Sequence, residues 1–303
     1  MLRGRWPGES PGRRTRVKYN DQARLDPSQM GGGGGGNGGR IAIGGGAGLI
    51  VVVLALLFGI NPGDILGGQQ AGPEQTSGSS PFAQCTQGSD IDKDRNCRFV
   101  AYTNSIQDYW GDTVQNYQVI KVETFTGSID TACGNATSAV GPFYCPGDTS
   151  VYLDLEFFDQ LTGQLGAEGG DAAEAYVLAH EFGHHIQNLT GTMRQVQGSG
   201  QGTGAKSPQV RLELQADCYA GVWFKHATED ASSPISEVTQ DDLDRAVDAA
   251  AAVGDDRIQE KTRGQVTPET WTHGSAAMRQ KWLGQGFDTG DPNKCDTFAA
   301  GAL

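Results

Sequence analysis

Residues 41–60, IAIGGGAGLIVVVLALLFGI, run for twenty positions without a charge. A helix needs about 20 apolar residues to cross the hydrocarbon core of a bilayer, so this run must be buried, in lipid or in protein. Nothing amphipathic flanks it, and six consecutive glycines precede it at 31–36. A cleaved secretory signal has a short charged leader and a small-residue cleavage site. Here the leader is 40 residues long and the run ends against Asn61-Pro62, which favours an uncleaved transmembrane anchor. Charge orients it: residues 1–40 hold eight Lys/Arg against three Asp/Glu, a balance of +5, and the remainder holds 15 against 33, a balance of −18. The positive-inside rule then keeps residues 1–40 cytoplasmic and exports the rest. The expectation is a single-pass membrane protein with its N-terminus cytoplasmic and an extracytoplasmic domain.

All six cysteines, at 85, 97, 133, 145, 218 and 295, lie beyond the run. An even number in an exported domain reads as disulfides. Cys85–Cys97 and Cys133–Cys145 would each close a short loop, worth roughly 3 kcal/mol in the loop-entropy model, leaving Cys218 for Cys295. Spacing alone only prefers this pairing. No CxxC occurs, which argues against a cysteine zinc site. The acidic body excludes nucleic acid as a partner, because phosphate contacts need a basic footprint.

Four regions follow: a disordered basic tail at 1–40, the anchor at 41–60, a flexible linker rich in Gly, Gln, Ser and Pro at 61–84, and one folded domain at 85–303. Within the domain, 97–117 has helical spacing and QVIKVETF (118–125) alternates as a strand. The stretch 138–161 suggests an extended segment, a Pro-Gly turn, a short strand and a helix starting near Leu155. Asp171 can cap a helix with Glu174 three residues on, running to Thr190 before Gly191. A loop follows over 197–208, then helices over about 208–226, 239–252 and 274–286. Strands followed mostly by helices make the class α+β, mostly helical with a small sheet.

AHEFGHHIQNLTG (179–191) carries three of the five histidines. Residues four apart on a helix differ by about 40° around the axis, so His180 and His184 share one face and can grip one zinc ion. Glu181, turned by about 100°, lies beside the metal as general base for a water. A catalytic zinc needs a third ligand and an open position. RLELQADCYAGVW (211–223) supplies Glu213 as that ligand, with Asp217 one turn on to accept the outer N–H of a ligand histidine. Their neighbours are apolar on nearly every side, and buried carboxylates need partners. His185 reads as a supporting or surface residue, and His226 as a helix-end histidine near the surface. His273, in the turn before a helix, is a candidate to stabilise an oxyanion, with Tyr219 and Arg279 as rivals.

TACGNATSAVGPFYCPGDTSVYLDLEFFDQL, AYVLAHEFGHHIQNLTG, RLELQADCYAGVW, THGSAAMRQKWLGQGFDTGD and CDTF, spread over about 97–299, resemble the bacterial YpfJ-type neutral zinc metallopeptidases. The resemblance implies a zincin-like domain behind an N-terminal membrane anchor and a gluzincin-type peptidase. It implies one zinc per chain, bound by His180, His184 and Glu213. It also strengthens His273 through the recurring THGS. In zinc peptidases of this type an edge strand pairs with the substrate backbone; the candidate here is Ser138–Phe143, braced by Cys133–Cys145.

The function that follows is a membrane-anchored, zinc-dependent hydrolase of peptide bonds, with peptides or proteins as partners and 41–60 as the membrane contact. Two alternatives stay open. One is a non-catalytic zinc-binding module, which would close all four metal positions; the other is a zinc amidohydrolase acting on cell-wall peptides.

Overall fold

The computed structural model of the chain describes residues 17–32, 80–199 and 202–303. The expected anchor at 41–60 and linker residues 61–79 lie outside the described residues. Among the described residues no helix is long and apolar enough to cross a membrane.

The strands in chain order are β1 (Lys18–Tyr19), β2 (Met30–Gly32), β3 (Lys121–Phe125), β4 (Ser128–Thr131), β5 (Gly134–Thr137), β6 (Phe143–Cys145), β7 (Ser150–Asp154) and β8 (Ile235–Glu237). The α-helices are α1 (Cys97–Thr113), α2 (Phe157–Gly163), α3 (Asp171–Leu189), α4 (Thr192–Gly198), α5 (Pro208–His226), α6 (Gln240–Ala252), α7 (Asp255–Arg263) and α8 (Ala276–Thr289). The class is a mixed α+β fold, richer in helix than in strand. Its main sheet has the order β2-β3-β7-β6, parallel across β2–β3–β7 and antiparallel at β6. The β4–β5 hairpin covers a small second core of Phe125, Val140, Phe143 and Tyr152.

Helix α3 is the centre of the molecule. Every residue from Asp171 to Gln187 is buried, between α5 and α6 and against α1. A helix enclosed on all sides is usually apolar all round. This one carries three histidines, two glutamates, an aspartate and a glutamine in its buried stretch, so each polar group needs a partner inside the protein.

The three disulfides join Cys85–Cys97, Cys133–Cys145 and Cys218–Cys295, the pairs that spacing preferred. The third ties the middle of α5 to the C-terminal segment, where Gln215 Nε2 also donates to the Cys295 carbonyl at 3.0 Å.

Several expectations need correction. The largest concerns the tail: residues 17–32 are ordered, with β1 pairing β8 and β2 adding a strand to the main sheet. Composition misled because Val17, Ala23, Leu25 and Met30, which are buried, are too widely spaced to show a period. The linker is also shorter than expected, since Phe82 is already in the core. Asp171 is not a cap; Gly170 holds that position, and Asp171 and Glu174 instead pair with Arg98 of α1. Ser138–Phe143 is not one strand. Ser138–Val140 make a 3-10 turn, Gly141 sits at φ 75°, and Pro142 lacks the N–H a ladder needs, so the edge strand is only Phe143–Cys145. Helices α4 and α7 were not anticipated. The nine residues of α7, DDRIQEKTR, include one buried apolar side chain, Ile258, too few to reveal a period.

Replacing Cys218 and Cys295 together by alanine is expected to cost about 2–5 kcal/mol of unfolding free energy, read as a lower denaturant midpoint. An unchanged midpoint would show that α5 is held without the bridge.

Candidate metal centre

The site forms where α3 crosses α5. A Cβ built on Gly183 would lie 2.9 Å from the Ala216 Cα, so the two backbones touch at this point. That closeness brings Glu213 of α5 against the histidine face of α3. Its Oε2 lies 3.2 Å from His180 Nε2 and 3.5 Å from His184 Nε2. Each of the three residues offers a donor atom, and these atoms lie within 4.8 Å of one another.

The far side of each imidazole is fixed. His180 Nδ1 is 2.8 Å from Asp217 Oδ1; a carboxylate there accepts, so Nδ1 carries a proton and Nε2 is the nitrogen turned towards the centre, where a metal would take it as a ligand. Asp217 also accepts from Tyr176 at 2.6 Å and from Arg279 Nε and Nη2, each at 2.8 Å. Burial raises the Asp217 carboxyl, but Arg279 and His180 outweigh burial and hold it at about 2. His184 Nδ1 faces Gln187 Oε1 at 2.9 Å, while Gln187 Nε2 donates to the Leu212 carbonyl at 2.7 Å. That donation orients the amide, so Gln187 accepts from His184 and frees its Nε2.

These donors fit a zinc ion. His184 Nε2 is fully buried and has no hydrogen-bond partner, a costly condition unless something else satisfies it. Two imidazoles and one carboxylate are a common catalytic zinc set. Glu213 keeps its other oxygen occupied by Gln209 at 3.1 Å. Its carboxyl is raised by burial, yet His184 and His273 hold it well below the usual range.

Glu181 lines the same cleft, and its Oε2 has no hydrogen-bond partner. Burial lifts its carboxyl above the usual value. His273 lines the cleft too, with Nε2 3.9 Å from Glu213 Oε2. Its turn is built by Asp255, whose Oδ2 accepts from the backbone N–H of Thr272, His273 and Gly274 at 2.8, 2.7 and 2.9 Å. The rivals fare differently: Arg279 is committed to Asp217, and Tyr219 packs edge-on against Trp110 outside the cleft. His185 points away from the centre, between Tyr144 at 3.1 Å and the Gln118 carbonyl at 2.9 Å. It is fully buried, so the surface role considered for it is wrong. His226 ends α5, hydrogen-bonded to the Gly290 carbonyl at 2.9 Å. Sequence reasoning missed Gln187, Tyr176 and Asp255. Tyr176 stands one turn before His180 and Gln187 three residues after His184, so helical spacing could have flagged both. Asp255 gave no signal, because its targets are backbone groups.

A buried His-Glu-x-x-His helix and a carboxylate from the next long helix bring together a candidate three-residue metal site, His180, His184 and Glu213. The chain belongs to the family described as "Putative neutral zinc metallopeptidase", whose model matches residues 12–298. It is 47% identical to Rv2575 of Mycobacterium tuberculosis (strain ATCC 25618 / H37Rv) over 82% of this chain and 86% of that one. It is 42% identical to YpfJ of Escherichia coli (strain K12) over 63% of this chain and 67% of that one. No solved structure matches the chain.

Gly183→Ala is expected to push α5 off α3. The outcome should be a loss of about 1–3 kcal/mol of stability together with lower zinc content in metal analysis. Gln187→Ala should leave the fold in place and weaken zinc binding by about 10–100-fold, measured by competition with a chelator. Unaltered zinc affinity in that variant would show that Gln187 does not set the His184 tautomer.

Proposed function

We propose that the chain is a zinc-dependent peptidase that hydrolyses peptide or protein substrates in an oxidising compartment. The observation that carries the reading is the pairing of two unsatisfied buried atoms, His184 Nε2 and Glu181 Oε2, on one cleft. One completes a ligand set; the other is free to act as a base. Three disulfides with no free cysteine among the described residues support the compartment, and the 41–60 run supports contact with a membrane.

His180, His184 and Glu213 would hold the zinc. When bound there, zinc supplies Lewis acidity, lowering the pKa of water from about 15.7 towards about 7 and polarising a carbonyl. Glu181 takes the proton of the attacking water and later delivers it to the leaving amine. Its buried, raised carboxyl suits both directions of transfer. His273, with Nδ1 2.8 Å from Thr272 Oγ1, can accept there and donate from Nε2 to the developing oxyanion. Val140, Pro142, Phe157, Val177 and Ile258 line the cleft beside these groups, giving a substrate side chain apolar walls.

His273 also supports a second reading. Its Nε2 is near enough to Glu213 that a fourth protein ligand would make a closed, structural site, as in a binding module.

Glu181→Gln is expected to keep its zinc and lose about 10²–10⁴-fold in turnover of an unfolded protein substrate. Glu213→Gln should instead lower zinc per chain. Retained turnover in Glu181→Gln would sink the assignment of the base.

A further inference from the structure

Residues 17–32 are built into the domain rather than resting on it. Backbone bonds lock the segment to the first loop of the domain, Leu25 N–H to the Thr86 carbonyl and Gly88 N–H to the Ala23 carbonyl, each at 2.9 Å. Tyr19 reaches the start of the active-site helix, with its hydroxyl 2.6 Å from the Tyr102 hydroxyl and 3.1 Å from Asp171 Oδ2. Gln29 Oε1 accepts from Asn104 and Gln107 of α1, both at 2.8 Å. Those two side chains are buried, so the segment closes over polar groups of α1 and supplies their hydrogen-bond partner. Strand β2 completes the sheet in parallel register, Met30 opposite Val122 and Gly32 opposite Thr124. The family match beginning at residue 12 takes the segment in.

The chain leaves this sheet and returns to it at one point. A Cβ built on Gly32 would stand 2.7 Å from Pro81 Cδ, so the two ends of the stretch 33–79 touch. A helix that crosses a bilayer puts its ends on opposite faces, about 30 Å apart. Coming back would need a second apolar span. Residues 61–79, NPGDILGGQQAGPEQTSGS, carry Asp64, Glu74 and two prolines around few apolar side chains. Such a stretch is too polar to be a second span, which needs about 20 predominantly apolar residues.

We propose that residues 17–32 and the domain at 80–303 lie in the same compartment, the N-terminal segment serving as a permanent part of the domain's sheet, so that the 41–60 run does not carry the chain across a membrane between them. The basic excess of residues 1–40 then does not set an orientation, because the positive-inside rule counts charges flanking a crossing. The inference is independent of what the metal centre catalyses.

The test uses the full chain produced in bacterial cells. Gln22→Cys marks the exposed turn of the N-terminal segment and Ala299→Cys the exposed end of the domain. All native cysteines are paired, so each variant has one free thiol. A membrane-impermeant maleimide is applied to intact cells, to cells with an opened outer envelope, and after full lysis. Both thiols should become reactive at the same step. Reaction of one at the intermediate step and of the other only on full lysis would overturn the proposal. A second variant, Lys18→Cys with Glu237→Cys, places thiols at facing positions of β1 and β8. In the membrane fraction treated with a mild oxidant, the 18–237 bridge should be found by peptide mass analysis. Its absence, with the three native bridges intact, would also overturn the proposal.

Discussion

The metal centre depends on two helices touching. Gly183 leaves α3 without a side chain where Ala216 of α5 crosses it, and only that contact brings the Glu213 carboxylate between two imidazoles of the neighbouring helix. A larger residue on either side would separate the backbones, and the two histidines would lose their third partner. The disulfide at Cys218, one residue beyond Asp217, holds α5 from behind. Packing and ligand geometry are therefore one constraint.

The centre is also a dense set of buried charges. Asp217 and Arg279 are almost fully enclosed, and a buried ion pair contributes little net stability once desolvation is counted. Removing one partner, however, leaves an uncompensated charge and typically costs about 3–5 kcal/mol. The pair is better understood as fixing a direction. Asp217 holds His180 in one tautomer, Arg279 holds Asp217, and Tyr176 fills the remaining acceptor site. Gln187 does the same for His184 with a neutral amide. Both imidazoles thus aim Nε2 at one point, the Glu213 carboxylate, and a metal bound there would take the place of the Nε2 proton.

Much of this centre was legible in the sequence because helical spacing is local. His180, Glu181 and His184 follow from a four-residue repeat, and Glu213 with Asp217 from the same repeat in an apolar setting. The disulfides were legible from loop lengths. What escaped depends on contacts distant in sequence. The N-terminal segment has strands of two and three residues, too short for any period, and its partners lie tens to hundreds of positions away. Asp255 acts on backbone groups of a turn 17–19 residues on, which side-chain patterns do not encode. The expected substrate strand at 138–143 failed for a local reason: Gly141 and Pro142 turn the chain before the edge begins.

Catalysis by this centre requires three protein ligands and one open position, and His273 Nε2, 3.9 Å from Glu213 Oε2, is the side chain placed to fill that position. X-ray absorption at the zinc edge on the zinc-loaded full chain, beside His273→Ala, addresses this most directly. The account predicts two imidazole shells with oxygen donors in the parent and an unchanged spectrum on removing His273. Loss of an imidazole shell in the variant would mean that His273 ligates the metal and closes the site, which would contradict a peptidase.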